Sequence, residues 1–287
     1  MNAVLIRCGV VALLLLFAAS CGGPPGAPPS EVIVARTADL PQGPADAAWR
    51  HAPVYRAELL LQDMVEPRLI EASTSLVSVR AMTDGSEIAF QLDWKDDTRD
   101  DLPSPGRFSD ACAVQLPVGI SADVPAPQMG EPGRAVEISF WRATWQASLD
   151  GRPDDIRAIH PGATVDHYPF EAAGLEPGSK DRAAMRARYS PARALGNVME
   201  GPRERAVEDL LAEGPGSLTR AESQRSDGSG RRSDDGWQVM IRRPLSEALT
   251  ANGRGQIAFA VWQGAAGEVG ARKMRTGWVP IAIEEGS

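Results

Sequence analysis

The chain has 287 residues, 30 Lys and Arg against 38 Asp and Glu, a net charge of −8, and three cysteines. So acidic a chain, with no basic helix or patch, is a poor partner for nucleic acid, and the cysteines are too few for a disulfide framework. The length suits one large domain or two small ones, held by a hydrophobic core.

The first expected element is an export signal. Arg7 supplies positive charge, residues 9–19 are unbroken apolar sequence, and Ala18-Ala19-Ser20 places small residues before Cys21. The apolar run has about half the ~20 residues a bilayer-spanning helix needs. Ala18-Ala19-Ser20-Cys21 has the form of a bacterial lipobox, which predicts removal of residues 1–20 and lipidation of Cys21; an ordinary signal cut after Ala19 or Ser20 is the plainer alternative. Residues 21–30 then form a lipidated Gly/Pro tether (GGPPGAPPS after the cysteine) with no apolar face to bury. Several acyl chains on one residue exceed the marginal, reversible binding of a single chain. The sequence thus predicts an exported lipoprotein, anchored on the periplasmic side of a membrane, with residues 31–287 as its folded domain. Cleavage removes Arg7 and leaves 29 basic against 38 acidic side chains, a charge of −9.

Beyond the tether, short alternating segments predict a mainly β protein, an antiparallel β-sandwich. Leu76–Met82 and Glu87–Trp94 flank Thr83-Asp84-Gly85-Ser86 as a hairpin. Val136, Ile138 and Phe140 alternate with Glu137, Ser139 and Trp141. Residues 147–236 break the pattern. They are polar and arginine-rich, carry His160 and His167, and predict a long loop excursion with a short helix over Pro202–Ala212 and a mobile loop over Ser223–Asp235. Strands resume at Trp237, Val239 and Ile241, continue through Ile257–Trp262, apolar on both faces as in a central strand, and end at Gly277–Ile283.

The sequence has no C-x-x-C-H for covalent haem, no Cys/His set spaced for zinc, and no nucleophile–base pair or carboxylate dyad in a usable context. Cys112 lies in an apolar strand, as a buried inert thiol would. His51, His160 and His167 are the obvious metal-ligand rivals by residue type, with surface or structural roles as the alternative.

Several segments together resemble the ethylbenzene dehydrogenase-type haem-binding family, the gamma subunits of the dimethyl sulfoxide reductase type II group. They are EIAFQLDWKDDT (87–98), FSDACAVQLP (108–117), MGEPG (129–133), DGWQVMIRRPL (235–245) and AVWQGAAGEVGARKMRTGWVP (260–280). Their order and spacing carry the likeness, which runs from about Glu31 to Ile283. The resemblance implies a β-sandwich holding one non-covalent haem b with methionine and lysine axial ligands, which fall on Met129 and Lys273; the histidines miss those positions. It also implies a non-catalytic electron-transfer subunit, with a molybdenum-containing catalytic subunit and an iron–sulfur subunit as partners and a c-type cytochrome as a further one. Cys21 departs from the soluble, periplasmic members of the group.

The two residue types suit that chemistry. A thioether is a soft neutral ligand that favours ferrous haem iron, and Met129 sits in a Gly/Pro-rich loop where backbone can approach a flat group. Gap filling is the plainer role for any methionine. Lys273 is one of only three lysines, with Lys95 and Lys180, in a chain that otherwise uses arginine. Only an amine can shed its proton and bind iron; a solvated surface lysine is the alternative. Trp262 and Phe108 are candidates for the pocket wall. A carbohydrate-binding sandwich without haem, stacking sugars on its tryptophans, and a ligand-free assembly factor are the competing functions.

Overall fold

The computed structural model describes residues 29–102, 106–120, 123–153, 157, 160–164, 174–189, 195 and 203–285. The expected signal, Cys21, most of the tether and His167 lie outside the described residues. The strands are β1 (Val32–Arg36), β2 (Tyr55–Glu58), β3 (Leu60–Leu61), β4 (Leu76–Thr83), β5 (Glu87–Lys95), β6 (Ala111–Pro117), β7 (Val136–Arg142), β8 (Val207–Ala212), β9 (Thr219–Arg220), β10 (Asp227–Arg232), β11 (Gly236–Pro244), β12 (Arg254–Trp262), β13 (Met274–Arg275) and β14 (Val279–Ile283). Helices are α1 (Ala143–Leu149), α2 (Lys180–Tyr189) and α3 (Glu247–Asn252).

The mainly β architecture expected from the alternation is present. Among the described residues the strands form one sheet in the order β10-β11-β5-β4-β1-β14-β12-β6-β7-β8-β9, with β2, β3 and β13 alongside. Pairing is antiparallel except at β1, which runs parallel to both β4 and β14. β12 is the hinge of the sandwich. Its first residues pair with β14 (Gln256 opposite Pro280), and from Ala258 onward it pairs with β6 (Ala260 opposite Ala113). Because β12 changes partners along its length, the sheet folds over and its far ends meet across the core. Trp141 of β7 packs edge-on against Trp94 of β5, 6.3 Å between ring centres, and against Trp237 of β11 at 5.1 Å. Phe90, Leu92, Val114, Val239, Ile257 and Phe259 fill the same core with almost no exposed surface.

The β4–β5 hairpin forms where its turn residues require it. Gly85 has φ 95°, a left-handed conformation that suits glycine, and the Asp84 carboxylate accepts from the backbone N–H groups of Ser86 and Glu87, both at 2.8 Å.

Two expectations within the excursion are corrected. Of the helix expected over Pro202–Ala212, Pro202 lies outside the described residues and Val207–Ala212 is instead strand β8, paired along β7. The apolar spacing of Ala206, Val207, Leu210 and Leu211 imitates a helical face, but here it is split between faces of a strand. Val207 enters the core, while Leu210 meets the cavity described below and Leu211 is exposed. Ser223–Asp235 is not a loop throughout either, because Asp227–Arg232 is strand β10, paired with β11. Its polar composition suits an edge strand. Its glycines serve close approach: a Cβ on Gly228 would collide with the Met240 carbonyl, and one on Gly230 with the Trp141 ring.

Candidate functional site

The half of the sandwich built from β12, β6, β7 and β8 has its core face on one side and a cavity of about 570 Å³ on the other. That volume lies in the ~300–1,000 Å³ range of small-molecule and cofactor sites. The two-residue period of the strands sorts the side chains. Cys112, Val114, Trp141 and Val261 face the core, whereas Ala111, Ala113, Phe140, Ala258 and Ala260 line the cavity. Register sets Ala113 directly beside Ala260. Methyl groups here keep the floor low and leave the cavity open, and three aromatic rings form a wall. Phe140 stands edge-on between Trp145, at 5.5 Å, and Trp262, at 5.2 Å.

Met129 stands at the end of the cavity where β6 and β7 begin to part. It has φ 72°, the positive value normally left to glycine, and among the described residues no other non-glycine shares that feature. The surroundings hold it there. The Met129 carbonyl accepts from Gly214 N–H at 2.8 Å, and Gly130 N–H donates to the Ala126 carbonyl at 2.9 Å. Gln115, on the cavity face of β6, donates to the Pro127 carbonyl at 3.0 Å, and the Trp278 indole donates to that of Pro125 at 2.6 Å. Gly130 is itself required: its φ is 79°, and a Cβ would stand 2.8 Å from the Arg134 carbonyl oxygen. An over-determined left-handed methionine on a cavity wall is the kind of strained backbone that accompanies binding sites.

Lys273 stands at the other end of the floor. Val261 pairs with Met274, so Lys273 lies beside Trp262 at the end of β12 remote from Ala258. Its Nζ is 5.1 Å from the centre of the Trp262 ring, and among the described residues no carboxylate forms an ion pair with it. Burial, reinforced by the positive charge of Arg275, brings the ammonium down to about 8. An amine so placed yields its proton far more readily than a solvated one and can then act as a neutral nitrogen ligand. Met129 and Lys273, singled out on separate segments of the sequence, thus line one apolar cavity from opposite ends.

The other candidates fall elsewhere. His51 ends an exposed 3-10 turn, and His160 is an exposed loop residue. Cys112 is fully buried on the core face, where burial raises its thiol well above its ordinary range. Trp262 lines the cavity and Phe108 does not. Among the described residues no group of three or more His, Cys, Asp or Glu is placed to hold a metal. Besides the carboxylates of Glu66, Glu208 and Glu268, which other side chains or backbone groups engage, the cavity offers a metal the thioether of Met129 and the amine of Lys273. The thioether and amine together with the apolar lining fit a haem. The sequence reading missed Phe140, Trp145, Arg142 and Arg275 as cavity residues. The alternation in FSDACAVQLP and VEISFWR carried that signal for β6 and β7, since it puts small residues on one face of β6 and Phe140 with Arg142 on the same face of β7.

Comparison with known proteins identifies the family of the chain. The profile of the family described as ethylbenzene dehydrogenase matches residues 46–274. The chain is 24% identical over 257 residues to a protein of Haloferax mediterranei named as a respiratory nitrate reductase heme subunit, covering 87% of this chain and 70% of that one. It is also 24% identical over 279 residues to the chlorate reductase subunit gamma of Ideonella dechloratans, covering 92% and 90% of the two chains. Among solved structures it is similar to a family 9 carbohydrate-binding module from Caldicellulosiruptor kristjanssonii in complex with cellotriose. There the TM-score is 0.40 at 10% identity, over 89% of this chain and 94% of that one, a likeness too slight to bear on ligand or function.

Proposed function

Because the chain belongs to the ethylbenzene dehydrogenase family, we propose that it is a non-catalytic, haem-carrying electron-transfer subunit of a respiratory molybdenum oxidoreductase. The observation that carries this is the pairing of Met129 with an easily deprotonated Lys273 across one alanine-floored cavity. The names of its two relatives, a nitrate reductase heme subunit and a chlorate reductase gamma subunit, support the same role. Met129 and Lys273 are the proposed axial ligands of a single non-covalent haem b. Bound there, the haem supplies a one-electron ferric/ferrous couple. The chain's own residues would hold it between Met129 and Lys273: the alanines leave room for it, the Phe140–Trp145–Trp262 wall excludes water, and the thioether would favour the ferrous state. The proposed partners are a molybdenum-containing catalytic subunit, an iron–sulfur subunit and a c-type cytochrome. With residues 1–20 removed and Cys21 lipidated, the complex is held at a membrane on the periplasmic side.

The carbohydrate-binding alternative finds less support. Trp49, Trp94, Trp141 and Trp237 are buried away from the cavity and offer no stacking platform, which leaves Trp145 and Trp262 on the cavity wall and the partly buried Trp278.

Mild detergent extraction followed by affinity purification tests the proposal. The expected product is red, with a low-spin b-type spectrum, and contains a molybdenum and an iron–sulfur subunit. A colourless product carrying only sugar polymers or envelope-assembly proteins rejects it.

A further inference from the structure

The charged groups around the cavity do not balance. Of its carboxylates, Glu208 is engaged by Arg220 at 2.9 Å and Arg203 at 3.9 Å, Glu268 by Ser73 and the Gln263 N–H, and Glu66 by Arg68 at 2.7 Å. Arg142 has no such counterpart. It is half-buried, it lines the cavity, and among the described residues its guanidinium has neither an ion pair nor a hydrogen bond, with no carboxylate acting on it.

Its position is fixed by the chain. As the last residue of β7 and the N-cap of α1 it has extended backbone, φ −140° and ψ 134°, opposite Ala111 in the neighbouring strand. The next arginine makes matters worse for it: Arg203, seated 3.8 Å over the Trp145 ring, adds positive charge to the cost of burial, and both weaken the hold of Arg142 on its proton. A guanidinium does not escape by deprotonating in a protein. A partly desolvated cation without a partner is costly unless a counter-charge is brought to it, and the open side of Arg142 is the cavity.

We propose that Arg142 is the carboxylate-recognising residue of this cavity, pairing with a propionate on the rim of the bound porphyrin. This assignment rests on the haem-binding function proposed above and adds an orientation to it: the porphyrin is turned so that a propionate edge meets the β7–α1 junction. Arg275 is the rival cation, but its guanidinium already donates to the Thr276 carbonyl at 3.3 Å and lies near the carboxylate of Asp63.

Titration of the haem-free full chain with ferric protoporphyrin IX, and separately with its dimethyl ester in dilute detergent, separates the two claims. Soret absorbance reads both affinities without any electron-transfer assay. Wild type should bind the free acid roughly tenfold to a hundredfold more tightly than the ester, the range for one charge-assisted hydrogen-bonded pair. Arg142→Gln should lose that preference while binding the ester as wild type does, which also shows that it is folded. Arg275→Gln should keep the preference. If Arg142→Gln does not fold, Arg142→Lys takes its place, and should weaken free-acid binding alone because it lacks the bidentate fork. Equal binding of acid and ester by wild type overturns the role of Arg142 and leaves haem binding intact. So does a preference that survives removal of the Arg142 guanidinium or disappears with that of Arg275. A wild type that binds neither porphyrin overturns both.

Discussion

The Lys273 ammonium and the Trp262 ring are stacked at 5.1 Å, and the indole N–H of Trp262 is in turn fixed by the Gly270 carbonyl at 3.0 Å. A cation over an indole face gains about 0.5–2 kcal/mol, less than a carboxylate partner would supply in the same apolar place. The contact keeps the lysine ordered without fixing its charge. That distinguishes it from the arginines of the site, whose charge cannot be given up.

For this reason Lys273→Arg should be as damaging as Lys273→Ala. Arginine retains the charge and the contact with Trp262 but has no neutral nitrogen to offer a metal. Both variants should convert a six-coordinate, low-spin haem to a form with an open or water-filled position, read by absorption and magnetic circular dichroism. Identical spectra for wild type and both variants would remove Lys273 from the ligand set and leave His160 and His167 to be tested.

A second expectation concerns Asp110, at the start of the strand that floors the cavity. It is fully buried, and burial pushes its carboxyl up to about 7, with the charge of Asp96 adding to the rise. N–H donation from Gly264, Asp100 and Trp237, each at 2.8–2.9 Å, opposes that shift without cancelling it. Between the ordinary value of 3.8 and about 7 the folded chain retains a proton that the unfolded chain has lost. Stability from this group is therefore full below about pH 4, falls as pH rises through the window, and is lost above about pH 7. Asp110→Asn should lower the melting temperature at low pH, because it disturbs three hydrogen bonds, and should flatten its decline between about pH 4 and 7. Parallel pH profiles for variant and wild type would exclude Asp110 as the source.

The strands with a two-residue period were legible in the sequence, because at β4, β5, β7, β11 and β12 apolar residues recur at every second position over most of the length. β8 and β10 were not. In β8 the core-side pattern is interrupted by Asp209, whose carboxylate binds the backbone N–H groups of Arg225 and Ser226 at 2.6 and 2.7 Å. In β10 the residues facing Trp141 and Met240 are glycines, which report close approach but leave no hydrophobic signature. The site divides in the same way. Met129 and Lys273 were singled out by the family resemblance and by residue type, but their meeting in one cavity depends on the change of partners along β12, which no local pattern announces. Arg142 was one arginine among many until its lack of a partner became visible.

The anchoring expectation rests on the sequence Ala18-Ala19-Ser20-Cys21 alone. Wild type should incorporate a radioactive fatty acid and partition into detergent, and Cys21→Ala should do neither. A soluble, unlabelled wild type would mean that the signal is cut without lipidation and that the complex is tethered, if at all, by a partner.

The last expectation separates the backbone of Met129 from its sulfur. A left-handed φ of 72° costs a side-chain-bearing residue about 1–2 kcal/mol, a cost glycine does not bear. Burial of the Met129 side chain recovers little of this in the haem-free protein, because the residue is only partly buried and faces a cavity rather than close-packed atoms. Truncating a methionine in a packed core costs about 2–5 kcal/mol. Met129→Gly should instead leave the melting temperature of the haem-free chain within a few degrees of wild type, since relief of backbone strain offsets the lost contacts. The Gly214–Met129 hydrogen bond runs through the main chain and survives the change. With haem bound the outcome should reverse. The glycine variant lacks the thioether that favours ferrous iron, so its reduction potential should drop and its haem should dissociate faster. Calorimetry of the haem-free pair and redox titration of the loaded pair measure the two effects separately. A large loss of stability without haem would assign Met129 to packing, and an unchanged potential would place the axial ligand elsewhere.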